Sequence, residues 1–296
     1  MAWRIAFATL IALWSLLLLA WLTLHWGIVP RIGQWKPQIE QHASAALGVP
    51  VTIGAIRVQS SGWMPLVELD DVVLAPRPGT AGSGGEALRL PRVSATLSAR
   101  SILGWQVRFE QLHVDGAALE VRRDTQGRLF VAGIEIRSST AEHGDDGGSG
   151  TDWLLAQREV VVRNGRLRWI DQQTSAAPLE LSAVDLVLRN GLARHELRLD
   201  ATPPGEVGQR FTVQGDFRQP LLAARNDWRR WSGTAYAELP HTDAGALRQW
   251  LPALPVQALA GVGALRVWVE VADGQARSAQ ADVALRDVLL RFPGNE

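Results

Sequence analysis

Cysteine is absent from the 296 residues. That excludes a disulfide framework, thiolate zinc sites and a thiol nucleophile, and it suits an oxidising compartment. Net charge is absent too. Thirty basic residues balance thirty acidic ones, so no overall field draws the chain to nucleic acid or to an anionic surface. Lysine is confined to Lys36, and arginine supplies the remaining cations. A single tyrosine stands against 13 tryptophans. Trp3, Trp14, Trp21, Trp26 and Trp35 crowd the beginning of the chain.

The motifs of common chemistry are missing as well. No G-x-G-x-x-G follows a strand and opens a helix, and there is no G-x-x-x-x-G-K-[ST], G-x-S-x-G or H-E-x-x-H. The histidines, His25, His42, His113, His143, His195 and His241, are scattered, with no pair at metal-ligand spacing. No catalytic residue, metal ligand or cofactor is assigned, and the chain is not read as an enzyme. Asp70 and Asp71 resemble a carboxylate pair, but neighbours on a strand point to opposite faces, so they read as a bulge or strand-end feature. Arg229 and Arg230 between Trp228 and Trp231 could stack nucleic-acid bases. The charge balance favours instead a turn near lipid headgroups or a plain solvated loop, with no nucleic-acid partner.

What is present divides into two unlike parts, which a mean hydropathy of +0.00 conceals. Residues 5–29 carry no formal charge. At ~1.5 Å per residue they can cross a hydrocarbon core of ~30 Å. The run is too long for the core of a cleaved signal peptide and lacks a cleavage site just after it. The expectation is a single-pass anchor over 1–30 with a cytoplasmic N-terminus, and Trp3, Arg4, Trp26 and Arg31 at the membrane interfaces. Residues 37–47 read as a short helix opened by Pro37 and stopped by Gly48. It serves either as a cap on the first sheet edge or as a lid between membrane and domain.

From Val51 onward the apolar period becomes two, as in Glu196-Leu197-Arg198-Leu199 and Leu265 to Glu270, the mark of half-buried strands. Asp115-Gly116, Gln126-Gly127, Asn164-Gly165, Asn190-Gly191 and Asp273-Gly274 give turn signals. The spacing predicts antiparallel meanders. One irregular pattern recurs: apolar, two residues, apolar, one residue, apolar. It occurs at Leu69/Val72/Leu74, Leu90/Val93/Ala95, Phe109/Leu112/Val114, Leu181/Val184/Leu186 and Leu285/Val288/Leu290. In a flat strand a three-residue step splits the first two side chains across both faces. A bulge restores them to one face and bends the strand. The expectation is a repeatedly bent sheet with one apolar face. The competing reading is that each triplet marks a strand switching partners.

Composition makes 138–152 a flexible linker. The body is therefore read as a first β-lobe over 31–137 and a second over 153–296, with short helices near 151–157 and 244–251. The last residues follow directly on a strand, which suggests a piece of a longer protein or a partner at that edge.

Three stretches carry a resemblance. They are LGVPVTIG (Leu47 to Gly54), VDGAALEVRRDTQG (Val114 to Gly127) and WLLAQREVVVRNGRLRWID (Trp153 to Asp171). The chain resembles the AsmA-like superfamily of Gram-negative envelope proteins, and the third stretch resembles its YhdP branch, N-terminal portion. The resemblance implies an inner-membrane protein with a periplasmic body. It also implies an elongated, taco-like open β-groove that conducts phospholipids toward the outer membrane, with no catalytic residues. The fold expected is thus mostly β: an N-terminal transmembrane helix, then a long curved antiparallel sheet with a few short helices. The groove would be lined by Leu69, Val72, Leu74, Leu90, Val93, Phe109, Leu112, Val114, Leu181, Val184, Leu186, Leu285, Val288 and Leu290. The partners are phospholipids, the inner membrane and other envelope proteins at the C-terminal edge. An envelope assembly factor that binds proteins along the sheet, and an anchored hydrolase, are the alternatives.

Overall fold

The computed structural model describes residues 3–4, 7, 10–11, 14–15, 36–61, 64–75, 88–97, 109–131, 134–136, 155, 157–174, 176–221, 228–247 and 257–291. Its body is one fifteen-stranded sheet. The strands are β1 (Val51–Thr52), β2 (Ala55–Ser61), β3 (Met64–Leu74), β4 (Leu88–Leu97), β5 (Phe109–Asp115), β6 (Ala118–Arg123), β7 (Leu129–Val131) and β8 (Ile134–Ile136). They continue with β9 (Glu159–Asp171), β10 (Leu179–Asn190), β11 (Arg194–Thr202), β12 (Phe211–Arg218), β13 (Ser232–Asp243), β14 (Gln257–Ala272) and β15 (Gln275–Arg291). Among the described residues α1 (Lys36–Leu47), α2 (Ala244–Leu247) and a 3-10 turn, Trp228–Arg230, accompany them.

From β9 to β15 the chain is an unbroken antiparallel meander. The Asp273-Gly274 signal closes its last hairpin. Both residues have positive φ (49° and 67°), as a two-residue primed turn requires. The strict antiparallel expectation fails at one seam. There β9 runs parallel to β5 and β6, whose other neighbours, β4 and β7, are antiparallel. Parallel pairing needs a long return connection rather than a tight turn, and β7 and β8 intervene between β6 and β9. Strands from before and after residues 138–152 thus share one sheet, while 138–152 themselves lie outside the described residues.

The expectation that the fold opens on a transmembrane helix is corrected. Among the described residues no helix is long and apolar enough to cross a membrane. Among the described residues the longest continuous helix, α1, has 12 residues, where a span takes about 20. Of the expected interface residues, Trp3 and Arg4 are helical and exposed. Trp26 and Arg31 lie outside the described residues.

Helix α1 ends at Gly48, whose positive φ of 71° lets its N–H reach Ser44 O at 2.9 Å, a common helix stop. Ile39, Ala43 and Leu47 pack on the core formed by Val51, Ile53, Val72, Val93, Leu112, Val114 and Val160. Two of its polar side chains finish the neighbouring strand edge. Ser44 Oγ accepts the Val51 N–H (2.8 Å) and Glu40 Oε1 accepts the Ile53 N–H (2.7 Å). The cap reading of this helix is the one the hydrogen bonds describe.

Candidate functional site: a continuous apolar face

Directly opposed residues share a face of a sheet, so the register can be followed from strand to strand. One row runs Ile56, Leu69, Val93, Val114, Val162, Leu186, Leu199, Val213, Ala237, Val267, Ala281. The next runs Val58, Val67, Ala95, Leu112, Val160, Leu188, Leu197, Gly215, Ala235, Val269, Ala279. Neither row contains a polar side chain across eleven strands. With ~4.8 Å between strands, the ten steps cover ~48 Å.

The other face is a lattice of charges. Arg189 meets Glu159 at 2.8 Å, Arg194 meets Asp216 at 2.6 Å, Arg198 meets Asp200 at 2.8 Å and Arg266 meets Glu238 at 3.2 Å. The Arg189, Arg194 and Arg198 guanidiniums hold Glu159, Asp216 and Asp200 below the usual carboxylate range. Two shallow hollows of about 490 and 430 Å³ are lined largely by these paired charges. The described residues contain no group of three metal-ligating side chains.

The triplets explain how one face stays apolar through long, bent strands. The residue before the central apolar position is left-handed in three of them: Asp71 (φ 51°), Ala183 (φ 45°) and Asp287 (φ 55°). Leu69 therefore opposes Val93 while Val72 opposes Leu90, and Leu74 opposes Leu88. All six contribute to one core cluster. Between Leu181 and Val184 the register slips against both β9 and β11. In β15, Arg286 and Leu289 oppose Val262 and Ala260, so Asp287 or Val288 is the extra residue. A methyl group added at Gly261 would meet Leu285 Cδ1 and Val288 Cγ2, both at 3.5 Å; the two side chains lie on the same side. At Phe109 the register slips between Thr96 and Leu97.

The candidate lining residues fall into three settings. Val72, Leu74, Val93, Leu112 and Val114 are buried, and Leu69 and Leu90 are half-buried against them, where α1 covers the face. Leu181 and Leu186 are half-buried and Val184 is buried in the middle strands. Leu285 is half-buried and Val288 is 44% exposed on β15. Phe109 pairs with Leu97 and Leu290 with Ala258 in register. Cover is thus lost along the sheet, until Val283 on the row beyond is 58% exposed.

Sequence reasoning passed over Leu197, Leu199, Val213, Ala237 and Val267, which continue the two rows. They lie in strands of plain alternation, and that alternation was the signal. It also passed over two polar devices. Arg210 spans the Ala183 bulge, donating to Ala183 O (2.7 Å) and to Asp185 Oδ2 (2.8 Å), while Asp185 Oδ1 accepts the Asn164 N–H (3.0 Å). At one end of the strands His195 is fully buried. It donates from Nδ1 to Asn190 Oδ1 (2.9 Å) and stacks on Trp231 with ring centres 4.0 Å apart.

The family motifs map onto this framework. In the second stretch Asp124 Oδ1 accepts the N–H groups of Gln126 and Arg128, fixing the β6–β7 turn. In the third, Gln157 O accepts from Asn190 Nδ2 (3.0 Å), and Asp171 pairs with Arg123 across the parallel seam. A family model described as YhdP protein matches residues 1–295. No curated protein matches the chain.

Proposed function

The chain belongs to the YhdP family, a bacterial envelope family, and on that premise we propose that its sheet carries phospholipid acyl chains on the periplasmic side of the inner membrane, passing them toward the outer membrane. The observation that supports this reading is the two-row apolar face across eleven strands, covered at its first strands and open at its last. An acyl chain gains roughly 0.8 kcal/mol for each methylene removed from water. A face with no polar interruption lets that gain persist from one position to the next, so movement along it meets no large barrier. The charge lattice confines the polar side chains to the reverse side. No group in this account forms or breaks a bond with the lipid; the role is conduction rather than catalysis.

The test is native mass spectrometry with lipid extraction on the purified chain, beside Val267→Glu and Val283→Glu. Both positions lie on the apolar face where it is least covered, so a carboxylate there interrupts the face without entering the core. Bound phospholipid is expected to fall at least severalfold with the circular dichroism unchanged. Equal lipid in wild type and both variants would sink the reading. Val72, Leu112 and Val184 are unsuited to this test, because a buried carboxylate there unfolds the protein.

A second reading has one observation in its favour. Among the described residues strand β15 pairs on one side, with β14, and its 17-residue outer edge can accept a strand from an envelope protein. Crosslinks from β15 to protein, with no co-purified phospholipid, would favour it.

A further inference from the structure

We infer that the polar face of the sheet binds an extended, uncharged glycan at Tyr236 and Trp268. One row crosses this face in register: Arg198, Gln214, Tyr236, Trp268, Gln280. It lies on the same side as the Arg266–Glu238 pair, which belongs to the next row. Trp268 is 37% exposed and stands inside β14, away from either turn. Its ring centre is 5.3 Å from that of Tyr236, with the two planes at 42°.

A cross-strand aromatic pair by itself supports a sheet. The setting of this pair does more. The rings stand on the charged face rather than the apolar one, and they continue a depression. The hollow of about 430 Å³ on that face reaches Gln214, Thr234 and Tyr236. The aromatic floor therefore extends a concave polar track from β11 to β15. Three strand steps, ~14 Å, separate Gln214 from Gln280 in a straight line. A ribbon-like β-linked chain can lie along such a track, whereas a coiled α-linked chain leaves it after one or two sugars.

The side chains match the two sides of a sugar. A pyranose ring has an apolar face of C–H groups and a rim of hydroxyls. The indole and phenol rings suit the face. Gln214 and Gln280, both exposed, bracket the rings, and each amide can donate to and accept from hydroxyl and acetamido groups. The charge pattern excludes an anionic ligand. In the hollow, Arg189, Arg194 and Arg198 are bound to Glu159, Asp216 and Asp200. From β13 to β15 the rows flanking Trp268 are Glu238, Arg266, Asp282 and Thr234, Glu270, Ser278. Carboxylates outnumber the guanidinium there, so phosphate meets no surplus of positive charge, while hydroxyl donors meet carboxylate acceptors. A protein partner would instead call for a contiguous flat apolar patch. This site lies on the face opposite the two apolar rows and is independent of the lipid-carrying reading.

Tyr236 is the single tyrosine of the chain, so carbon-13 labelling of tyrosine rings gives an NMR signal from the site alone. The purified full chain, kept free of sugar-headed detergent, is titrated with chitotetraose, an uncharged β-linked glycan. The Tyr236 ring signal is expected to shift saturably at millimolar glycan, and saturation of the protein is expected to transfer to the sugar ring protons. Trp268→Ala should weaken binding about fivefold, and Trp268→Phe should retain most of it. Gln280→Ala should weaken it about threefold. Gln280 is exposed on β15, so its variant decides the matter if Trp268→Ala fails to fold by circular dichroism. A Tyr236 signal that does not move overturns the proposal. So does one that moves equally with α-linked maltotetraose or inorganic phosphate, or a titration that folded Trp268→Ala or Gln280→Ala leaves unchanged. Each of these results leaves the lipid-carrying reading to its own mass-spectrometric test.

Discussion

At the scale of single residues, strain and its relief set the geometry. Asp and Asn tolerate the left-handed region through local hydrogen bonding, whereas alanine has no such compensation. Ala183, at φ 45°, is the costly member of the series, and Arg210 clamps the bulge it occupies. Ala183→Gly is therefore expected to raise stability by about 1 kcal/mol, read as a higher urea midpoint at unchanged slope. An unchanged or lower midpoint would mean that the bulge holds no strain to relieve. The same residue scale shows where sequence was ambiguous. Asn164-Gly165 and Asp115-Gly116 read as turns, yet Asn164 sits inside the continuous strand β9, and Gly116 marks a kink between β5 and β6. Turns and bulges both require a left-handed residue, so the dipeptide announces the backbone state without saying whether the chain reverses. Arg163, Arg166 and Arg168 are exposed along this bulged strand.

At the scale of elements, α1 does two jobs at once. Its apolar side covers the first strands and its polar side completes an edge. Glu40 and Ser44, one turn apart, satisfy the two backbone donors of Ile53 and Val51. Removing one acceptor leaves a part-buried N–H without its partner, at about 1–2 kcal/mol. Glu40→Ala should lower the urea midpoint accordingly and speed amide exchange at Ile53 while exchange in β10 to β13 stays the same. Exchange accelerated everywhere would show that α1 instead governs global stability. The helix, the strand periods and the recurring triplets were legible because each is a local pattern. The parallel seam of β9 with β5 and β6 was not. It joins residues some 48 positions apart, such as Leu112 and Val160, and no local period encodes which strand a returning chain meets. Nor does any local pattern reveal Arg210, whose partners Ala183, Asp185 and Thr202 come from β10 and β11.

At the scale of the whole molecule, two faces of opposite character respond to different variables. The charged face is sensitive to acid. Arg123, Arg189, Arg198 and Arg194 hold Asp171, Glu159, Asp200 and Asp216 below their usual values of 3.8 for Asp and 4.5 for Glu. A depressed folded-state value means the folded protein binds fewer protons than the unfolded chain near those pH values. Stability from these pairs is fully present above about pH 5 and is lost as pH falls through 4.5 and 3.8 toward the lower folded-state values. Urea midpoints should be flat from neutrality to about pH 5 and then decline; a flat profile to pH 3 would show that the lattice contributes nothing. The apolar face has no titrating group in its two central rows and responds to length instead. From β10 to β14 each strand pairs with the strand before and the strand after it, so the sheet grows in one direction and its parts are nearly independent of its extent. Inserting one more bulged hairpin adds ~10 Å and leaves every earlier contact in place. Reach becomes an integer, the number of hairpins, and the length of the apolar face can be set by counting rather than by redesign.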